Sequence, residues 1–356
     1  MSTKTGSVLG MNNSPAEAMP GLRCDLIVRD HFATDPWGLA SFWRTLCKSI
    51  FQDKLRISSF QLLKCHQKSD TLPATRCIPD FQSSAISWST SMDEPNPHLT
   101  LRARIADHQR LLGTFVKISG PSTIEILAGA GFDFVVIDQE HGVFDRAATD
   151  LALLACKASA ISGIVRVPAL APDGILSALD CGAAGILAPH IDSAGRAKEL
   201  VSACRYRGGR RGFSAVTRAG GYGAKSMWKH VDEADAGVAA IAMIEDPAGV
   251  DNIEDIVSVE GLDAVFIGRG DLTVAYGAGS REHPTIVSAV DRIIDATRRA
   301  GKSVWMMVET GPDIEPLATK GVSSFIVSSD QGMLRNAARN IMDGLSSFAG
   351  DKRGSL

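Results

Sequence analysis

From about residue 99 onward, short apolar runs alternate with segments of helical period, and glycines mark the junctions. The pattern predicts strands over 114–119, 134–138, 164–168, 185–190, 239–245, 264–268, 303–309 and 324–329. Helical stretches are expected over 122–130, 146–158, 173–181, 194–204, 286–300 and 312–321. The strands are nearly continuous apolar runs, as in a parallel sheet buried on both faces. Eight strands, mostly followed by helices, in about 250 residues predict an α/β fold of the (β/α)8 TIM-barrel type. A doubly wound sheet alternates in the same way but usually needs fewer strands.

The first 98 residues read differently. They hold only four of the 34 glycines, and their apolar runs are short. A strand fragment over 25–28 and a modest helix over 37–51 are the clearest elements, and 72–97 reads as a polar linker. Residues 1–98 are therefore expected to form an irregular, partly disordered extension of unassigned function, or a segment upstream of a start at Met92. The barrel is expected over 99–356. With 22% charged residues and a net charge of −3, the chain has no basic tract to suggest a nucleic-acid partner. No stretch approaches 18 apolar residues, so no membrane helix is expected. Seven cysteines without a CxxC pair, and no apolar run in the first ten residues, point to a reduced, cytoplasmic chain.

Barrels place chemistry at the C-terminal ends of their strands, so the residues that end each apolar run are the candidates. They are Asp138, Glu140 and His141 after strand two, Arg166 on strand three, His190 and Asp192 after strand four, and Glu245 and Asp246 after strand five. Asp271 follows strand six, Glu309 strand seven and Asp330 strand eight. Carboxylates crowded on one rim repel one another unless a cation compensates. Oxygen ligands suit Mg2+ or Mn2+, and Glu245 with Asp271 is the natural ligand pair, although each could instead cap the helix that follows. Asp246 and Asp192 read more simply as caps. Arg166 interrupts an apolar strand, and an always-charged guanidinium buried there must meet an anion, either a neighbouring carboxylate or a substrate oxygen. Lys117 is a Schiff-base candidate on strand one, but its direction, inward or outward, is open.

Taken together, six motifs in order give the chain a resemblance to the metal-dependent pyruvate aldolases of the HpcH/HpaI family. They are GTFVKISGPSTIEILAGAGFDFVVIDQEHG, IVRVP, ALDCGAAGILAPHIDSAGRAKELVSACRY, RRGF with TRAGGYG, MIEDPAGVDNIEDI and GLDAVFIGRGDLTVAYG. The resemblance implies reversible cleavage of a 4-hydroxy-2-oxo acid to pyruvate and an aldehyde. It implies a divalent cation (Mg2+ or Mn2+, with Co2+ an alternative) on Glu245 and Asp271, a general-base His141 paired with Asp180, and a substrate-stabilising Arg166. Asp138 and Glu140 would order the base and metal-bound water, and the backbone at Gly270 and Asp271 would hold the 2-oxo acid carboxylate. The family also implies a homo-oligomer, typically a hexamer with active sites completed across interfaces.

Three positions depart from the family pattern: Met243 stands where many members have Gln, Arg269 where many read GPADL, and His190 where the residue is usually apolar. Two other readings stay open. One is an acyl-CoA lyase of the malyl- or citryl-CoA type, with Arg205, Arg207, Arg210 and Arg211 taken as a basic cluster near the rim. The other is a non-catalytic interaction barrel.

Overall fold

The structure, a computed structural model, describes residues 97–345. The strand fragment over 25–28, the helix over 37–51 and the linker expected in the N-terminal region lie outside the described residues. Eight parallel strands close into a barrel in sequence order: β1 (Leu111–Val116), β2 (Phe134–Asp138), β3 (Ser162–Arg166), β4 (Gly185–Ala188), β5 (Ala239–Ile244), β6 (Ala264–Ile267), β7 (Ser303–Val308) and β8 (Ser324–Ser329). This is the (β/α)8 fold that the alternation predicts.

Helix α1 (Pro97–Ala106) precedes the barrel, and α2 (Pro121–Gly129), α3 (Arg146–Ala158), α4 (Pro172–Asp180) and α5 (Ala194–Cys204) follow the first four strands. A long excursion with α6 (Met227–Gly237) leads into β5, and α7 (Pro247–Asp251) and α8 (Ile253–Val257) lead into β6. After β6 come α9 (Arg269–Ala275) and α10 (Pro284–Arg299), after β7 comes α11 (Ile314–Lys320), and α12 (Asp330–Gly344) follows β8. Several starts are set by local chemistry: the Asp145 carboxylate accepts from Ala148 N–H, the Ser329 hydroxyl accepts from Gly332 N–H, and Pro284 opens α10.

Two apolar layers result from the strand period of two. One set of side chains faces the helices; the other, including Phe134, Val136, Ile164, Ile241, Phe266, Trp305 and Ile326, fills the barrel. Leu101 and Ile105 of α1, each 1% exposed, join the inner set and close the lower mouth. Phe134 and Trp305 pack with ring centroids 4.7 Å apart, and the Trp305 indole N–H donates to the Ser303 hydroxyl. Gly113 makes room for this pair, since a Cβ there would overlap the Phe134 ring. Gly113→Ala is therefore expected to lower stability by about 1–3 kcal/mol through overpacking. Thermal or denaturant unfolding checks this, and an unchanged midpoint would show that the Phe134 ring can move aside.

The first strand starts and ends earlier than the sequence pattern indicates, for a physical reason. Leu111–Gly113 find partners on β8, whereas the N–H groups of Lys117 and Ile118 donate to the Asp330 carboxylate and leave the ladder. The third strand likewise begins at Ser162, which pairs with Phe134, and ends at Arg166 rather than running to Pro168. Among the described residues, Cys156, Cys181 and Cys204 are free and buried, and no helix is long and apolar enough to cross a membrane.

Candidate active site

The polar mouth arises by continuing the inward-facing series of each strand one step past its last hydrophobe. On β2 the series Phe134, Val136 ends in Asp138; on β3, Ile164 is followed by Arg166. After β5, Ile241 and Met243 lead to Glu245, and after β1, Phe115 leads to Lys117. Lys117 therefore faces inward, and its Nζ lies 3.3 Å from Asp138 Oδ2. The parity from Phe115 was the signal that settles its direction.

Asp138 and Arg166 are register partners on adjacent parallel strands, which makes a bidentate bridge possible. Arg166 Nε donates to Asp138 Oδ1 at 2.8 Å and Nη2 donates to Oδ2 at 2.6 Å. Nη1 stands 3.1 Å from Glu140 Oε2, and the guanidinium carbon lies 4.6 Å from the Phe115 ring centre. Of the two anions that the sequence allowed for Arg166, the protein itself supplies the carboxylates. Burial pulls the Asp138 pKa up, but the hydrogen bonds and charge of Arg166, with the His141 N–H and Lys117, hold it below the ordinary carboxylate value. The N–H groups of Glu140 and His141 both donate to Asp138 Oδ1, so this carboxylate also shapes the loop that carries the imidazole. His141 is exposed, with Nε2 3.9 Å from Glu140 Oε2.

Glu245 is buried at the end of β5, with its side chain 3% exposed. Its Oε1 accepts the His190 N–H at 2.8 Å, while the His190 ring places Nδ1 2.9 Å from Asp246 Oδ2. Asp246 thus stands at the start of α7 but spends its side chain on His190 rather than as a cap. Ser193, not Asp192, caps α5. His190 holds a left-handed backbone (φ 54°) that side chains rarely adopt, a departure that goes with its two contacts to the acidic residues. Its imidazole pKa is raised, first by the Asp246 hydrogen bond. Gly268 packs against Glu245, and a Cβ at that position would come within 2.7 Å of Glu245 Cβ.

Burial raises the Glu245 pKa to about 7, opposed by His190 and reinforced by the charges of Asp271 and Glu140. Glu245 thus feels two neighbouring carboxylates at the mouth, and the buried Glu140 Oε2 has the Arg166 ion pair but no aligned hydrogen bond. Among the described residues no group of three or more His, Cys, Asp or Glu side chains forms a ready-made metal cage. The donor set does fit a hard divalent cation held by two carboxylates, because such a cation would relieve the charge that Glu245 and Asp271 impose on each other.

A cavity of about 250 Å³ opens beside these residues, lined on its polar side by Lys117, His141, Arg166, Arg269, Asp271 and Arg281. Phe115, Met243, Phe266 and Met307 form its apolar wall. Met243 keeps this wall free of a polar group at a position where the family pattern often has Gln. Arg281, in the turn before α10, is a lining residue that no strand-end pattern could identify.

One sequence expectation is corrected, the place of the arginine cluster. Asp180, which the resemblance pairs with His141, ends α4, which runs from the rim back to the N-terminal end of the strands. There its carboxylate lies 3.8 Å from the buried Arg211 guanidinium, its carbonyl accepts from Ala219 N–H, and burial raises its pKa, partly opposed by Arg211. Within one chain, the dyad that the resemblance implied is not formed. The cluster Arg205, Arg207, Arg210 and Arg211 follows α5 and so lies at that same far end, not near the rim. Arg205 is paired with Asp263 and Arg207 with Asp232.

This barrel, with its strand-end set, matches a protein-family model. The model described as HpcH/HpaI aldolase/citrate lyase covers residues 111–337. The chain belongs to this family. A 5-keto-4-deoxy-D-glucarate aldolase from Klebsiella pneumoniae is 32% identical over 244 residues, covering 68% of this chain and 94% of that protein. A hydroxypyruvate/pyruvate aldolase from Roseobacter denitrificans is 34% identical over 250 residues, 69% of this chain and 97% of the relative. The solved structure of a family protein from Burkholderia cenocepacia superposes with a TM-score of 0.66 at 30% identity, covering 69% of this chain and 98% of the other. As a member of the HpcH/HpaI aldolases, the chain is a carbon–carbon lyase.

Proposed function

We propose that this HpcH/HpaI aldolase catalyses metal-dependent, reversible cleavage of a 4-hydroxy-2-oxo acid to pyruvate and an aldehyde. The observation that carries this reading is the buried Glu245, at the end of the strand next to the one that leads to Asp271 and with its pKa raised to about 7, beside a cavity lined by Asp271, Arg166 and His141. A divalent cation on Glu245 and Asp271 would supply Lewis-acid polarisation of the 2-oxo carbonyl.

Breaking C3–C4 leaves negative charge that must spread onto the C2 oxygen. Arg166, fixed by Asp138 and Glu140, presents its guanidinium to the cavity and would donate to that oxygen as charge builds there. His141 would take the 4-hydroxyl proton during cleavage and a pyruvate methyl proton during condensation. Asp138 sets the position of His141 through its backbone, and Glu140 stands next to its ring. The N–H groups at Gly270 and Asp271, in the first turn of α9, would take the 2-oxo acid carboxylate. Phe115, Met243, Phe266 and Met307 would limit water around the carbanionic carbon.

The Asp180–His141 pair would join two copies of the chain, in keeping with the oligomer the resemblance implied. Helix α12 and the residue that follows it leave Leu334, Ile341 and Leu345 exposed, an apolar stripe that supports a homo-oligomer. A cytoplasmic location completes the reading.

Exchange of pyruvate methyl protons with solvent deuterium, followed by NMR, tests the half-reaction shared by every aldehyde partner. The expected result is exchange with Mg2+ or Mn2+ that stops on chelation. Acyl-CoA lyase chemistry or a non-catalytic barrel predicts no exchange with free pyruvate, and exchange indifferent to chelator would remove the metal from the mechanism.

A further inference from the structure

At the end of the barrel away from the mouth, four basic side chains come together where strands begin. Arg110 directly precedes β1, Lys302 directly precedes β7, Arg298 is in the last turn of α10, and His108 lies between α1 and β1. All four line a cavity of about 310 Å³, closed by the turn from α11 into β8, and its described lining includes no carboxylate. The acidic neighbours stand outside it. Glu315 lies 3.3 Å from Arg110 in an exposed pair of the kind that contributes little, and Asp291 is taken up by Lys320. Arg298 and Lys302 each donate to a carbonyl, of Lys320 at 3.2 Å and of Leu262 at 2.7 Å, and among the described residues neither forms an ion pair. Burial pulls the Lys302 pKa down, and the charges of Asp263 and Glu260 oppose that only in part. Gly321 (φ 107°) lets Arg298 lie across the turn, since a Cβ there would collide with its Cδ and Nε.

The base of such a barrel ordinarily serves stability, for which cations meet carboxylates. Here cations gather around a concavity instead, which raises the energy of the empty site and concentrates anions in it. We propose that this basal cavity binds the phosphate group of a small phosphate ester. A phosphate presents three acceptor oxygens and close to two negative charges, and so suits donors that arrive from separate elements. Arg recognises it with a two-pronged fork and Lys as a point charge. A planar carboxylate offers two oxygens and a single charge. The guanidiniums of Arg110 and Arg298 and the Lys302 ammonium carry more N–H donors than their carbonyl and carboxylate neighbours use. Ser323, only 7% exposed, adds a fixed polar group to the lining, its hydroxyl oxygen 2.7 Å from that of Ser303. A cavity of this size falls at the lower end of the range for small-molecule sites, roughly 300–1,000 Å³. Because the strands begin here and end at the mouth, the site is separate from the aldol chemistry and does not depend on it.

Isothermal titration calorimetry of the full, metal-free chain with glycerol 3-phosphate, inorganic phosphate and acetate, at matched ionic strength, tests the site. Saturable binding of glycerol 3-phosphate is expected. Its Kd should rise about 10- to 100-fold in Arg298→Gln and in Lys302→Gln, the factor that one charge-assisted hydrogen bond confers. Arg269→Gln should bind as the wild type does, which separates the basal cavity from the cationic groups of the mouth. Unfolded protein lowers the stoichiometry and not the affinity of the folded remainder, so a variant that folds poorly still answers. An affinity unchanged in both basal variants, or lost in Arg269→Gln, overturns the proposal. Heats that follow ionic strength alone, without saturation, overturn it as well. Acetate bound as tightly as glycerol 3-phosphate overturns the phosphate, and inorganic phosphate bound more tightly overturns the ester.

Discussion

Replacing Arg166 with alanine is expected to lower both the stability of the barrel and its turnover. The side chain is 5% exposed and satisfies a wholly buried Asp138 while neighbouring Glu140. Removing one partner of such a buried pair leaves an uncompensated charge, at a cost of about 3–5 kcal/mol. Lys117, 3.3 Å from Asp138, offers a compact ammonium but no two-pronged fork, so it offsets only part of that loss. If the same guanidinium donates to the developing oxyanion, turnover should fall roughly 10²–10³-fold in the protein that remains folded. Denaturant unfolding and kcat, measured on the same samples, separate the two effects. Arg166→Lys should recover more stability than activity, because charge survives and the bidentate geometry does not. A stable Arg166→Ala variant with unchanged turnover would remove Arg166 from both roles. The pair also sets acid behaviour: Asp138 titrates below its ordinary value, so its contribution is present above the unfolded carboxylate pKa and is lost as pH falls through the folded one.

Glu245→Gln should give the opposite combination, a protein that is more stable without metal and yet inactive. The folded pKa of Glu245, about 7, lies above that of a carboxyl group in an unfolded chain, so the folded state holds the proton more tightly. Its favourable contribution is complete below the unfolded pKa and disappears as pH rises through about 7. By pH 8 the ionised, buried carboxylate should leave the metal-free wild type on the order of 3 kcal/mol less stable, relative to Glu245→Gln, than at pH 4. Glutamine keeps an acceptor for the His190 N–H but cannot ionise. The gap in melting temperature between the two proteins should therefore widen from pH 5 to pH 8, and Mg2+ or Mn2+ should raise the wild type alone. A gap that ignores pH, or equal metal stabilisation of both proteins, would show that Glu245 is not the charged ligand proposed. Proton exchange in the variant should be undetectable.

Much of the site is legible along the chain because a strand ends where its apolar run ends. Asp138, Arg166 and Glu245 each follow an inward-facing hydrophobe by two residues, and the period of two places their side chains at the mouth. The inward direction of Lys117 follows from the same count. Helix caps were less legible, because Asp192 and Asp246 look alike in sequence, and only spatial neighbours decide that Ser193 caps α5 and that Asp246 bonds His190.

The sequence by itself determined the alternating strand–helix order, the eight-strand count and the strand-end acidic set, since hydrophobic period and chain length are local properties. The tertiary structure decided what meets what. Closing the barrel set Asp138 beside Arg166 by register, brought Asp271 to Glu245 from the next βα unit, and turned Arg269 and Arg281 toward the same cavity. It also carried Asp180 and the Arg205–Arg211 segment to the far end, because each helix returns the chain to the base of the next strand. Distance along a sequence says nothing about which rim a residue occupies; the antiparallel run of helix against strand does.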